Sequence, residues 1–155
     1  IFFSHSLGEL GLREGNLVDV AFRPQINEYR GSVSVQLVVS ALRHHEPEAL
    51  CDAILSGDES ALWAASAYCP ARTDFVHVWR AMDEGFTVGG DTRQVLDQCL
   101  TGMEPERFCL CLMTLMETGL LQSASGRVFS AVRSQISGKA DLEGTRLMRR
   151  LRSYL

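Results

Sequence analysis

The chain has 155 residues, of which 46% are hydrophobic and 22% are charged, a composition typical of a soluble globular protein with one domain or two small ones. No apolar run approaches the roughly 18–20 residues that a bilayer span needs, so we expect no membrane association. The formal net charge of −4 argues against a protein whose whole surface attracts nucleic acid.

The N-terminal part of the chain is predicted to contain a strand, a loop and a β-hairpin. It begins with Ile1-Phe2-Phe3, typical of a strand entered midway, and we interpret the chain as part of a longer protein. The stretch 16–43 has two alternating runs joined by a polar turn. One face of this hairpin is predicted to carry Val18, Val20, Phe22, Val33, Val35, Leu37 and Val39. The other face is predicted to carry Asp19, Arg23, Ser34 and Gln36.

From Glu46 onward the sequence predicts a series of helices. Proline and capping residues mark helix starts at Pro47, Asp58, Thr73 or Asp74, Asp91 and Pro105. A short strand is predicted at residues 86–88. The helix from Pro105 to Gly119 is the longest and is apolar almost all round, so we expect it to be buried rather than to read a DNA groove.

The last part of the chain predicts a hairpin and a final helix. The hairpin covers residues 120–132 with a turn at 124–126, and the helix runs from about Asp141 to Tyr154. Three helices followed by a two-stranded wing are typical of a winged-helix-like domain. The fold class expected for the whole chain is therefore α+β, a β-hairpin or small sheet followed by a mainly helical, winged-helix-like domain.

The cysteine, histidine and tryptophan residues show no catalytic or metal-binding spacing. The five cysteines include no C-x-x-C pair, and we expect them to be reduced thiols of a cytoplasmic protein. The adjacent His44 and His45 are predicted to lie in a solvated loop between domains. Trp63 and Trp79 are predicted to lie in the core.

The order of residues in the hairpin resembles one known family. The positions that carry the likeness are Val18-Asp19-Val20-Ala21-Phe22, Asn27, Tyr29, Gly31, Val35-Gln36-Leu37, Val39 and Leu42-Arg43. This order resembles the oligonucleotide-binding (OB) domain of RecJ, the bacterial single-stranded-DNA-specific exonuclease. Ala41 departs from the family, which often has Asp there. Weaker likenesses to the C-terminal domain of Gram-positive-type RecJ proteins lie at residues 70–80, 115–121 and 139–143.

The resemblance implies two domains. Residues 1–45 would be the C-terminal half of an OB-fold domain, and residues 46–155 the helical, winged-helix-like C-terminal domain. Three strands are too few to close an OB barrel, which needs about five, so the remaining strands are expected upstream of Ile1.

The resemblance also implies an accessory, non-catalytic role in a 5′-to-3′ single-strand exonuclease of DNA repair and recombination. RecJ-like enzymes hold Mg²⁺ or Mn²⁺ with Asp and His clusters that include an Asp-His-His motif. No such motif occurs in this sequence, so we expect no cofactor and no nuclease activity from this chain alone. The expected partners are single-stranded DNA, through the parent enzyme, and a repair protein.

The candidate nucleic-acid surface of the hairpin combines cations, amides and one aromatic ring. It consists of Arg23, Gln25, Asn27, Tyr29, Arg30 and Gln36. Binding of single strands by OB folds uses aromatic rings for base stacking and cations for phosphates. The alternative is that Tyr29 packs its ring on the sheet and that Arg30 is only solvated.

A second candidate surface lies in the basic C-terminal segment. Residues 126–155 hold seven basic and two acidic groups, whereas residues 46–125 hold four basic and thirteen acidic groups. Arg127 and Arg133 on the wing, with Arg149 and Arg150 on the last helix, are candidates for phosphate contacts. The alternative is that these arginines pair with the acidic middle of the same domain.

Two other functions fit the sequence. One is a protein-docking module without DNA contact, favoured by the hydrophobic helix 105–118 and by the acidic middle. The other is a free-standing winged-helix regulator, disfavoured because the helix before the wing lacks a basic face.

Overall fold

The structure is a computed structural model that describes residue 9 and residues 18–123, 129–135 and 139–155. The chain divides into two compact units, Ile1–Glu46 and Pro47–Leu155. Helices and small antiparallel sheets together make it an α+β protein, which confirms the predicted fold class. Within the described residues, no helix is long and apolar enough to cross a membrane.

The described part of the first unit is a long antiparallel hairpin. Strand β1 covers Val18–Tyr29 and strand β2 covers Ser32–His44. The two-residue connection has positive φ at both positions, 51° at Arg30 and 77° at Gly31. Two central residues with positive φ are the mark of a type I′ turn, whose twist matches that of the flanking strands. The polar turn predicted from the sequence is therefore Arg30-Gly31.

The hairpin contains a β-bulge. Val20 pairs with Leu42 and Phe22 pairs with Val39, so a step of two residues in β1 faces a step of three in β2. The extra residue is Ser40, which has no partner in the ladder. Val39 and Leu42 would point to opposite faces of a regular strand, and the extra residue lets both lie on the apolar face.

The register gives the hairpin one apolar and one polar face, because residues directly opposite each other in a ladder point the same way. The apolar face carries Val20, Phe22, Ile26, Val33, Val35 and Leu37, all of them exposed. Their exposed fractions run from 41% for Val20 to 79% for Ile26. The two faces are the ones that the alternation predicts.

The second unit contains six helices and three short strands among its described residues. The helices are α1 (Pro47–Ser56), α2 (Leu62–Ala65), α3 (Arg72–Asp83), α4 (Thr92–Asp97), α5 (Pro105–Glu117) and α6 (Arg146–Arg152). The strands are β3 (Val88–Gly90), β4 (Leu121–Gln122) and β5 (Phe129–Arg133). Two single 3₁₀ turns, Glu59–Ala61 and Ser66–Tyr68, flank α2.

The three strands form one antiparallel sheet in the order β3-β5-β4. Along the chain, α3, β3, α4, α5, β4 and β5 follow one another, which is the element order of a winged-helix arrangement. The predicted strand at 86–88 lies two residues later, at Val88–Gly90, where it pairs with β5. The predicted wing turn at 124–126 lies outside the described residues.

Helix α5 is the centre of the second unit. Its buried residues are Glu106, Phe108, Cys109, Leu110, Cys111, Leu112, Thr114 and Leu115. They point to every side of the helix, and α1, α3 and α6 contact it. The predicted burial of this helix is confirmed. Full burial of one such aliphatic or aromatic side chain contributes about 1.5–3 kcal/mol.

The final helix begins later than the sequence predicts. Asp141 does not start it: residues 142–145 form a turn, in which Oδ1 of Asp141 accepts a hydrogen bond from the Gly144 amide at 2.9 Å. Thr145 is the N-cap residue, and its hydroxyl oxygen accepts from the Met148 amide at 3.3 Å. An N-cap hydroxyl satisfies one of the amides that the first helical turn leaves free.

The buried thiols of α5 are held in their neutral form. Cys111 is fully buried, and this burial raises its pKa well above the ordinary 9.0. A hydrogen bond with Cys51 is the main cause that raises the pKa of Cys109, with burial second. Burial also raises the pKa of the half-buried Cys99 to about 11.

Because burial raises the pKa of the Cys111 thiol, we expect the protein to lose stability in alkali. Above about pH 9 the unfolded chain releases this proton while the folded chain retains it, so the free energy of unfolding falls by up to about 1.4 kcal/mol per pH unit. Denaturant unfolding followed between about pH 8.5 and 10 should show a shallower decline for Cys111→Ala than for the wild type.

Leu112→Ala is the matched control, because it also creates a cavity in α5 but removes no titratable group. Its stability should be lower at every pH, with the slope of the wild type. A Cys111→Ala curve parallel to the wild-type curve would contradict the prediction.

Candidate nucleic-acid interface

The hairpin brings five predicted site residues to one face. Arg23, Gln25, Asn27 and Tyr29 alternate along β1, and Gln36 pairs directly with Gln25. The side chains on β1 are exposed, whereas Gln36 is partly buried. From Arg23 to Tyr29 this polar face spans about 20 Å at the usual rise of a strand. The five residues offer one cation, three amides and one phenol on a single face of the hairpin.

The sixth predicted residue, Arg30, lies at the tip of the hairpin. Its guanidinium carbon is 5.1 Å from the centroid of the Tyr29 ring, which is a cation–π distance. The Tyr29 side chain is 64% exposed. Arg30 therefore covers part of an exposed aromatic ring. The alternative, in which Tyr29 packs its ring on the sheet and Arg30 is only solvated, does not fully describe either residue. The signal in the sequence was the Tyr-Arg-Gly order at the turn.

The wing arginine Arg133 is engaged inside the second unit. It ends β5, and its guanidinium forms an ion pair with the carboxylate of Asp83 at the end of α3. The same guanidinium lies 5.3 Å from the centroid of the Trp79 ring. These contacts join the sheet to α3 and favour a packing role for Arg133. The other predicted wing residue, Arg127, lies outside the described residues.

Ion pairs join the acidic middle to the basic C-terminal segment within the residues that the structure describes. Besides the pair of Arg133 with Asp83, Arg146 of α6 pairs with Glu59. A further pair joins Arg152 to Glu143 within the C-terminal segment. For Arg133 the structure therefore has the intramolecular pairing that was the alternative to phosphate contacts, and Arg146, which was not a candidate, is paired in the same way.

Two other predictions about polar and aromatic residues are wrong. His45 is not solvated, since its side chain is only 14% exposed and its Nδ1 lies 2.9 Å from Oδ1 of Asp19. Trp63 is not in the core, because it is 72% exposed, whereas Trp79 is partly buried against the core. Both outcomes depend on contacts between elements that are distant in sequence.

Neither a metal centre nor a known relative identifies the site. Among the residues described, no group of three or more His, Cys, Asp or Glu side chains is placed to hold a metal ion. No family model matches the chain, and no curated protein or solved structure matches it either. The hairpin residues and their geometry therefore provide the main basis for a functional proposal.

The contacts of Arg133 predict coupling between the wing strand and α3. Arg133→Ala removes a partly exposed ion pair and a cation–π contact, so we expect it to destabilise the second unit by about 0.5–1.5 kcal/mol. The Asp83→Ala/Arg133→Ala double variant should lose less than the sum of the single variants. Denaturant unfolding measures all three.

Arg80→Ala is the matched control, because Arg80 is an exposed cation on the same helix. Its effect should stay within about 0.5 kcal/mol. Additive losses in the Asp83/Arg133 cycle would show that the ion pair contributes no coupling.

Proposed function

We propose that this chain is the accessory, non-catalytic C-terminal region of a RecJ-like 5′-to-3′ single-stranded-DNA exonuclease, and that its hairpin helps to hold the DNA strand. The observation that carries the proposal is the single polar face of the hairpin. The residues that resemble the OB domain and the candidate DNA contacts lie on the same two strands.

The chemistry of this face suits a single strand better than a duplex. Arg23 and Arg30 offer positive charge for phosphates, while Gln25, Asn27 and Gln36 offer amide donors and acceptors. Tyr29 offers a ring on which an unpaired base stacks, a contact worth about 1–3 kcal/mol per base. A base inside a duplex is already stacked on both sides and gains nothing from such a ring.

In the parent enzyme the hairpin would act before the chemical step. The metal ions, Mg²⁺ or Mn²⁺, and their Asp and His ligands belong in this proposal to another part of the enzyme. Holding the strand that leads to those ions would give selectivity for single strands and would keep the enzyme on its substrate between cleavages. The second unit would stabilise the assembly or dock a repair partner.

The principal alternative is a protein-docking module that makes no contact with DNA. The exposed apolar face of the hairpin is the observation that favours it, since exposed apolar patches mark interaction sites. The hydrophobic helix 105–118 no longer supports this alternative, because α5 is enclosed by its own unit. The same burial counts against a free-standing winged-helix regulator, which needs an exposed reading helix.

Fluorescence anisotropy of a labelled oligo-dT at about 50 and about 200 mM salt tests the proposal. We expect binding at the lower salt concentration, and we expect Tyr29→Ala/Arg30→Ala to weaken it by about tenfold or more through loss of stacking and charge. Val33→Thr/Val35→Thr changes the opposite face of the same hairpin and should leave the affinity unchanged.

Three results would count against the proposal. Absence of binding at low salt would remove the DNA role, as would equal affinities of the Tyr29→Ala/Arg30→Ala variant and the wild type. A preference for duplex over single-stranded DNA would favour the regulator. If DNA binding is absent, pull-down with Val33→Thr/Val35→Thr as the loss-of-binding control would test the docking alternative.

A further inference from the structure

Helix α6 presents a basic surface that the hairpin proposal does not use. Arg146, Arg149, Arg150 and Ser153 lie at spacings of three, four and seven residues, which places them on one face of the helix. Together with Glu59 they line one shallow concavity of about 480 Å³. The opposite face carries Met148 and Leu151, which are fully buried.

The charges on this surface are not balanced. Glu59 pairs with Arg146, but Arg149 and Arg150 have no carboxylate partner within the part of the chain that the structure describes. Both side chains are exposed. The Nε group of Arg149 donates a hydrogen bond of 3.4 Å to the Thr145 carbonyl, which holds this side chain along the helix. The concavity therefore has two exposed guanidinium groups whose charge no carboxylate of the described residues pairs with.

The helix that carries these arginines is fixed in place. The Glu117 carboxylate, at the end of α5, accepts hydrogen bonds from the amides of Arg146 and Leu147. The buried Met148 and Leu151 anchor the other side. A fixed helix loses little backbone freedom when a ligand binds.

An exposed aromatic ring lies one helical turn beyond Glu59. The 3₁₀ turn Glu59–Ala61 continues directly into α2, and the backbone remains helical through Ala61 and Leu62. Trp63 follows Glu59 by four residues, is 72% exposed, and lies on α2, which itself contacts α6. Cations and an exposed aromatic ring on neighbouring elements are the groups with which proteins bind single-stranded nucleic acid.

We infer that the surface of Arg149, Arg150 and Trp63, here called the α6 surface, binds the phosphates and an unpaired base of a single nucleic-acid strand. This binding site belongs to the second unit and is separate from the polar face of the hairpin. The two arginines would contact two phosphates, and Trp63 would stack on a base. An acidic protein segment shares only the first of these chemistries.

Anisotropy titrations of the full chain with labelled oligo-dT test this inference. Each contacted phosphate of a single strand contributes roughly 0.7 to the slope of log affinity against log salt, so Arg149→Ala/Arg150→Ala should lower that slope by roughly 1.4. Arg149→Lys/Arg150→Lys should keep most of it. Arg72→Ala/Arg80→Ala removes the same charge from exposed positions on α3 and should change the slope far less.

Trp63 gives an independent readout. Oligonucleotide binding should quench the tryptophan fluorescence, and Trp63→Phe should abolish most of the quenching while the partly buried Trp79 keeps its environment. The same titrations with Tyr29→Ala/Arg30→Ala separate the two sites. A loss of affinity confined to this variant would support only the hairpin proposal, and a loss confined to the Arg149/Arg150 variant would support only the α6 surface.

Two outcomes overturn the inference. One is an Arg149→Ala/Arg150→Ala variant with the affinity and salt slope of the Arg72→Ala/Arg80→Ala control. The other is displacement of the oligonucleotide from the α6 surface by poly-glutamate of equal charge, with no Trp63 quenching, which would identify an acidic protein segment as the ligand. Thermal unfolding followed by circular dichroism confirms that each variant is folded.

Discussion

The second unit depends on the burial of α5. A helix with apolar residues on every side is stable only when other elements cover all of its surface. Here α1, α3 and α6 contact it, and the strand β4 follows it directly. The same requirement anchors α6 through Met148 and Leu151, so the arginines of that helix point outward. One hydrophobic constraint thus positions both the sheet and the basic surface.

The first unit has the opposite character. In its described part, apolar side chains such as Ile26 and Val35 remain largely exposed, and the hairpin is held by its ladder and its turn. An isolated two-stranded hairpin is marginally stable in water. The ladder therefore fixes the register of the polar face, but the exposed apolar side of the hairpin gives that face little support. A partner that covers the apolar face would also make the polar face more rigid.

Much of the fold could be predicted from local patterns in the sequence. Alternation gave the two faces of the hairpin, and the uninterrupted apolar run of α5 gave its burial. The break in alternation between Val39 and Leu42 is a sign of the bulge that the sequence contains. By contrast, the exposure of Trp63 and the pairing of Arg133 with Asp83 depend on which elements pack together. Spacing along the chain contains no information of that kind.

The bulge at Ser40 has a consequence for solubility. The described hairpin is a two-stranded sheet with an exposed apolar face, and strand edges beside such a face are templates for aggregation. A bulge bends and twists the strand that contains it. A flat strand added along β2 cannot continue past Ser40, so its regular pairing is limited to Ser32–Val39 on the turn side of the bulge. The irregularity thus limits how far another strand can pair along β2 while leaving both faces of the hairpin open.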